Sequence, residues 1–183
     1  HNLKKFDFIV SNPPFKMDFS DYRDDLDSKE NHQRFFAGIP NIPKKKKNSM
    51  AIYLLFFQHI IHSLTDKGKA AVVIPTGFLS AKQGIEPVIK KHLIDKELIT
   101  GIINMPSNIF ANTGTNVSII FLNKEKRNKD IIFVDASELG EEIKQGKNKR
   151  IVLTSEDEKL ITETFLNKQT IEDFSILVNV NKI

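Results

Sequence analysis

Three observations predict an α/β architecture with a mostly parallel sheet. Short apolar runs alternate with longer segments of helical character along the whole chain. One of those runs, Lys69 to Pro75, is apolar almost without interruption, as a central strand covered on both faces must be. A third run, Phe6-Asp7-Phe8-Ile9-Val10, leads directly into Asn12-Pro13-Pro14-Phe15, a proline-stiffened loop at a strand end, where open α/β sheets bind their ligands.

Taken in order, Phe6 to Ser11 reads as the first strand. A polar segment from Asp18 to Lys47, rich in Asp, Lys and Asn, reads as a long, lid-like loop. Ser49 is positioned to cap a helix over Met50 to Leu64, apolar almost all round and ending near Lys67-Gly68, so it has to be buried against the sheet. Lys69 to Pro75 follows as the central strand. Pro87 suits the first turn of a helix running to about Asp95. Leu98 to Asn104 and Asn116 to Leu122 read as strands separated by the Pro106 to Gly114 loop, with a short strand at Ile131 to Val134. Ser155 and Glu158 form a capping-box pattern before a helix ending near Asn167. There is no internal repeat and no Pro/Ser-rich linker.

The chain has 183 residues, 40% of them hydrophobic and 27% charged, enough for one core and for one domain or a large part of one. The absence of cysteine excludes disulfides and thiolate metal sites. No apolar run is long enough to span a bilayer and the first residues carry no secretion signal, so no membrane partner and a cytoplasmic location are expected. His32, His59, His62 and His92 lack metal-like spacing with carboxylates, and the acidic residues from Asp21 to Glu30 read as a solvated loop.

Net charge is +4, from 27 Lys and Arg against 23 Asp and Glu, but the excess is clustered. Lys44, Lys45, Lys46 and Lys47 form one cluster, Lys124, Lys126, Arg127 and Lys129 a second, and Lys144, Lys147, Lys149 and Arg150 a third. Contact with DNA phosphates is assigned to the first, because it lies on the loop that leaves the strand carrying Asn12. The other two read as solvated turns.

The chemistry of the tetrapeptide suits a planar, amino-bearing substrate such as adenine. Adenine's exocyclic nitrogen is a poor nucleophile because its lone pair is delocalised into the ring. Two acceptors that draw it toward tetrahedral geometry free that lone pair, and the Asn12 side-chain oxygen and the Pro13 carbonyl can each accept one N–H. Phe15 supplies a stacking face, and Pro13 and Pro14 preorganise the acceptors by restricting the backbone.

The ordered set Phe6 to Phe15, Phe57-Gln58-His59-Ile60, Gly68 to Pro75, Met105-Pro106-Ser107-Asn108-Ile109-Phe110, Gly114 to Lys124 and Phe133-Val134-Asp135-Ala136-Ser137 resembles the modification subunit of type I restriction-modification systems. The resemblance covers nearly the whole chain. It implies a Rossmann-like, S-adenosylmethionine-dependent N6-adenine DNA methyltransferase working with specificity and restriction subunits. Asn12, Pro13, Pro14 and Phe15 would be catalytic, Asn12 and Pro13 would adjoin the cofactor, and Phe110 would pack on a flipped base opposite Phe15. The elements correspond to strands four to seven of a seven-stranded sheet, the seventh antiparallel and paired with the sixth.

Such enzymes carry a glycine-rich loop after their first strand and an acidic residue after the second, and no such pattern precedes Asn12. Residues 1 to 183 are therefore expected to form the second half of a catalytic domain, from the catalytic loop onward and inactive in isolation. The strand carrying Asn12 would expose an apolar edge, predicting pairing with another chain, possible self-association, or cover from terminal segments. Two other readings stay open at this point: a protein glutamine methyltransferase, which uses a similar loop usually ending in Tyr, and a non-catalytic DNA-binding or assembly module.

Overall fold

The computed structural model describes residues 4–110, 115–125, 129–145 and 148–182. The chain runs through β1 (Phe6–Ser11), α1 (Arg23–Leu26), α2 (Tyr53–Ser63), β2 (Leu64–Pro75), α3 (Gly77–Ser80) and α4 (Glu86–Asp95). It continues through β3 (Ile99–Asn104), β4 (Val117–Asn123), β5 (Asp130–Asp135), β6 (Glu141–Gln145), β7 (Asn148–Val152), α5 (Ser155–Asn167) and β8 (Ser175–Asn179).

Six strands form one sheet in the order β1-β2-β4-β3-β5-β8, and β6 pairs with β7 as a separate hairpin. β1 is parallel to β2 and β3 to β5, while β4 lies between β2 and β3 and is antiparallel to both. Four strands thus point one way, and β4 takes the place expected for the antiparallel last strand of the methyltransferase sheet. β8 extends the far edge antiparallel to β5.

The pleat of β2 explains how the sheet is covered. Val72 and Ile74 are fully buried with Ala70 on the face that meets α2 and α4, together with Ile120 and Ile102. α2 presents Leu54, Phe57 and Ile60 to that face, and a fully buried side chain of this size contributes about 1.5–3 kcal/mol. The opposite face, with Ile103, Ile132 and Val134, packs on Ile161 and Phe165 of α5. The approach there is close enough to require glycine: a Cβ on Gly101 would meet the Phe165 ring at 2.4 Å and Ile132 at 2.7 Å.

Three local expectations are corrected. The segment from Asp18 to Lys47 is not a free lid. Phe19, Phe35 and Ile39 build a second apolar cluster with Met50 and Leu55, and Gln58, fully buried on α2, ties the segment down. The Gln58 Oε1 accepts from the Ala37 amide at 2.8 Å, and its Nε2 donates to the Gly38 carbonyl at 3.1 Å and the Leu54 carbonyl at 3.3 Å. Ser49 does not cap α2, which begins at Tyr53 without a side-chain cap. Met50 is drawn into the second cluster first, leaving Ser49 in a tight turn below it. The capping box of α5 is one residue earlier than expected, with Thr154 accepting from the Asp157 amide at 3.1 Å and Asp157 accepting from the Thr154 amide at 2.9 Å.

Among the described residues β1 pairs with β2 alone. Phe8 and Val10, on one face of the strand, are 76% and 87% exposed, whereas Ile9 on the other face packs into the core.

Candidate active site

The parallel strands β1 and β2 finish at the same end of the sheet, and the tetrapeptide extends from β1 there. Asn12 is exposed, Pro13 buried, Pro14 exposed and Phe15 half-buried. Among the described residues, the Asn12 side chain and the Pro13 carbonyl make no hydrogen bond, so both acceptors are unspent. The loop is fastened further on, where the Met17 amide donates to the Met50 carbonyl at 3.1 Å.

Phe15 forms one wall of a cavity of about 750 Å³, within the ~300–1,000 Å³ of small-molecule sites. Tyr53, Phe78, Thr76, Glu86 and Asn116 also line it. The aromatic side is a chain of edge-on contacts: Phe15 to Tyr53 at 6.4 Å and 78°, Tyr53 to Phe78 at 6.4 Å and 84°, and Phe78 to Phe57 at 5.5 Å and 84° between ring centroids and planes. This ladder anchors Phe15 to the core without covering it. Burial, with Glu86 nearby as the smaller cause, pushes the Tyr53 phenol well above its ordinary proton affinity, so it is a neutral hydroxyl and not a base.

A partly buried polar network backs Thr76, which lines the cavity. The hydroxyls of Thr76 and Ser118 lie 2.9 Å apart, and both reach the Asn104 side-chain oxygen, at 3.4 and 3.3 Å. Asn104 in turn donates to Asp135 at 3.0 Å. The network joins the ends of β2, β4, β3 and β5 and fixes the turn carrying Thr76.

Of the expected site residues, Phe15 is the one brought to this cavity. Asn12, Pro13 and Pro14 stand beside it in the chain without lining it. Phe110 is half-buried on the loop between β3 and β4, belongs to none of the apolar clusters and does not line the cavity. Lys44, Lys45, Lys46 and Lys47 are all exposed, Lys46 in the left-handed region at φ 59°, a few residues before Ala51 on the cavity rim. Asn112, Thr113, Lys126, Arg127 and Lys147 lie outside the described residues. Sequence reasoning missed Tyr53, Thr76 and Glu86. Tyr53, the one hydroxyl-bearing ring of α2, was the available signal.

Among the described residues no His, Asp and Glu cluster could hold a metal, and no helix is long and apolar enough to cross a membrane. A family model for N-6 DNA methylases matches residues 1–183. The chain belongs to the N-6 DNA methylase family. The chain is 32% identical, over its whole length, to the type I restriction enzyme MpnII methylase subunit of Mycoplasma pneumoniae, of which it covers 32%. It is also 32% identical over 92% of its length to the MjaIX methylase subunit of Methanocaldococcus jannaschii, of which it covers 29%. It therefore spans about a third of the length of these curated relatives. The crystal structure of a type I restriction-modification methyltransferase subunit from Streptococcus thermophilus superposes over 100% of the chain and 36% of its own, with TM-score 0.75 and 28% identity. A class I S-adenosylmethionine-dependent methyltransferase from Listeria monocytogenes shares the fold, with TM-score 0.54 and 18% identity over 91% of the chain and 44% of its own.

Proposed function

We propose that this chain carries the catalytic loop of an enzyme that methylates the N6 atom of an adenine flipped out of DNA, within a type I restriction-modification system. The observation that carries this reading is a pair of unspent acceptors, at Asn12 and Pro13, beside an aromatic-walled cavity in an N-6 DNA methylase. The family membership favours it over a protein glutamine substrate or a purely structural module.

The Asn12 side-chain oxygen and the Pro13 carbonyl accept the two N–H bonds of the target amino group, and their pull localises its lone pair. Phe15 stacks on the base, held at its angle by Tyr53. The neutral Tyr53 hydroxyl adds no charge that would repel or protonate the nucleophile. S-adenosylmethionine would supply an electrophilic methyl group, with Asn12 and Pro13 as this chain's residues beside it. Both atoms fit that position, since neither is hydrogen-bonded to an internal partner among the described residues. Phe110 supplies a second stacking surface on the flipped base, opposite Phe15. Lys44, Lys45, Lys46 and Lys47 meet the phosphates flanking the flipped nucleotide, and specificity and restriction subunits choose the sequence and act on it. The open side of β1 is where a further chain or segment, a second copy included, pairs; residues 1 to 183 then constitute the catalytic-loop portion of a larger catalytic domain.

In the intact enzyme, Asn12→Ala lowers methyl transfer by about 10²–10³-fold, as loss of one preorganised transition-state contact does, while affinity for the DNA site is unchanged. Turnover at the unsubstituted rate would refute the assignment.

A further inference from the structure

A second cavity, of about 450 Å³, opens at the opposite end of the sheet, where the parallel strands begin. Residues just before β1, at the C-terminal ends of α2 and α4 and after β4 converge on it. Its charged lining is Lys5, Lys96 and Lys124 with His62 and His92, against the single carboxylate of Asp66. Lys5 donates to the His62 carbonyl and Lys124 to the Leu64 carbonyl at 2.9 Å, so the end of α2 holds both ammonium groups in place. Arg34 lies close by, and its Nε is buried without a hydrogen-bond partner. Among the described residues none of these four cations forms an ion pair.

The crowding is unfavourable as it stands. Burial is the main force that lowers the proton affinity of His62, His92 and Lys124, and neighbouring cations add to it. Lys5, Lys124 and Arg34 act on His62 with a hydrogen bond to the Gln33 backbone opposing them, Lys96 and Lys124 act on His92 with Asp95 opposing them, and Lys5 acts on Lys124 with Asp66 opposing it. Phe36 stacks on the His92 ring at 4.0 Å and 29°, which fixes that imidazole at the cavity wall. A recess whose positive groups exceed its negative ones is relieved by an anion.

We propose that this pocket binds a small phosphate-bearing anion, held by Lys5, Lys96 and Lys124 with His62 and His92 as further N–H donors. Ammonium groups arriving from separate elements act as point charges around a tetrahedral oxyanion, whereas a planar carboxylate is matched better by a guanidinium fork. A recess of about 450 Å³ matches a small ligand in size, and a duplex backbone would need a row of cations along an extended surface. The pocket is separated by the depth of the sheet from Phe15 and Asn12 and is independent of the methylation chemistry.

The test is an NMR titration of the chain with inorganic phosphate at constant ionic strength, following the ring C–H signals of His62 and His92. Saturable shifts in both rings are expected, with both titration midpoints raised because the anion offsets the surrounding positive charge. The exposed Lys96→Ala weakens binding about tenfold, the loss of one charge-assisted hydrogen bond, whereas Lys91→Ala, on the same helix but paired with Asp95, leaves it unchanged. No saturable response, an equal response to chloride, or equal weakening by Lys91→Ala overturns the proposal. A short DNA duplex that shifts both histidines when phosphate does not also overturns it, and assigns the pocket to a nucleic-acid backbone.

Discussion

Phe15 meets Tyr53 edge-on and leaves the rest of its surface on the cavity wall, so its two contributions can be separated experimentally. An edge-to-face pair of this kind is worth about 0.5–1.5 kcal/mol, too little for its loss to unfold the chain. Phe15→Ala in the intact enzyme is therefore expected to leave the fold in place and to weaken capture of an extruded base, read as reduced emission from 2-aminopurine at the target position. Equal emission would exclude stacking as the role of Phe15. Asn12 and Phe15 were legible in the sequence because their chemistry is local: an amide, two prolines and a ring on one short loop. Tyr53 and Thr76 were not. Tyr53 reaches the cavity because Phe78, far along the chain, supports its ring, and Thr76 is placed by Ser118 and Asn104 on two other strands. Long-range packing of that kind leaves no mark on a linear pattern.

Among the elements, the apolar strands were the easiest to read, since continuous runs such as Val72 to Ile74 and Ile102 to Ile103 permit little else. The antiparallel pairing of β4 with β3 followed from the family resemblance and not from periodicity, which is blind to strand direction, and its place against β2 as well was not foreseen. β6 and β7 escaped notice because Glu141, Glu142, Lys144 and Lys149 face solvent, giving the hairpin no buried face to reveal it. The long segment before α2 was misjudged for a different reason. Its polar composition suggested freedom, but a few apolar residues and the buried Gln58 amide suffice to hold it. Gln58→Leu would strand the Ala37 N–H and the Gly38 carbonyl, at about 1–3 kcal/mol for each buried group left unpaired. Reduced stability in urea, with new proteolytic cuts between residues 18 and 47, is the expected outcome. Unchanged cleavage would mean that the apolar cluster alone fastens the segment.

For the molecule as a whole, charge and pH give two further expectations. If Lys44 and Lys45 contact phosphates, replacing both with Ala in the intact enzyme weakens DNA binding on every sequence and lowers the slope of log affinity against log salt by about two. An unaltered slope would remove this cluster from the interface. His59, His62 and His92 all bind protons less readily than ordinary histidines, chiefly through burial. The unfolded chain therefore takes up more protons than the folded one, so the stability they contribute is present above the unfolded value near pH 6.5 and falls as pH drops below it. Thermal melts across that range should show Tm decreasing with acidity, and His92→Gln should flatten the trend. The one-sided pairing of β1 has a mechanical consequence. Among the described residues its outer margin has no hydrogen-bonding neighbour, so the amides there are open to deuterium uptake, and Asn12 and Pro13 follow directly on that edge strand. If the proposed function holds, a neighbour laid along this margin would cover those amides and steady the segment that carries Asn12 in the same act, so that assembly and turnover rise together.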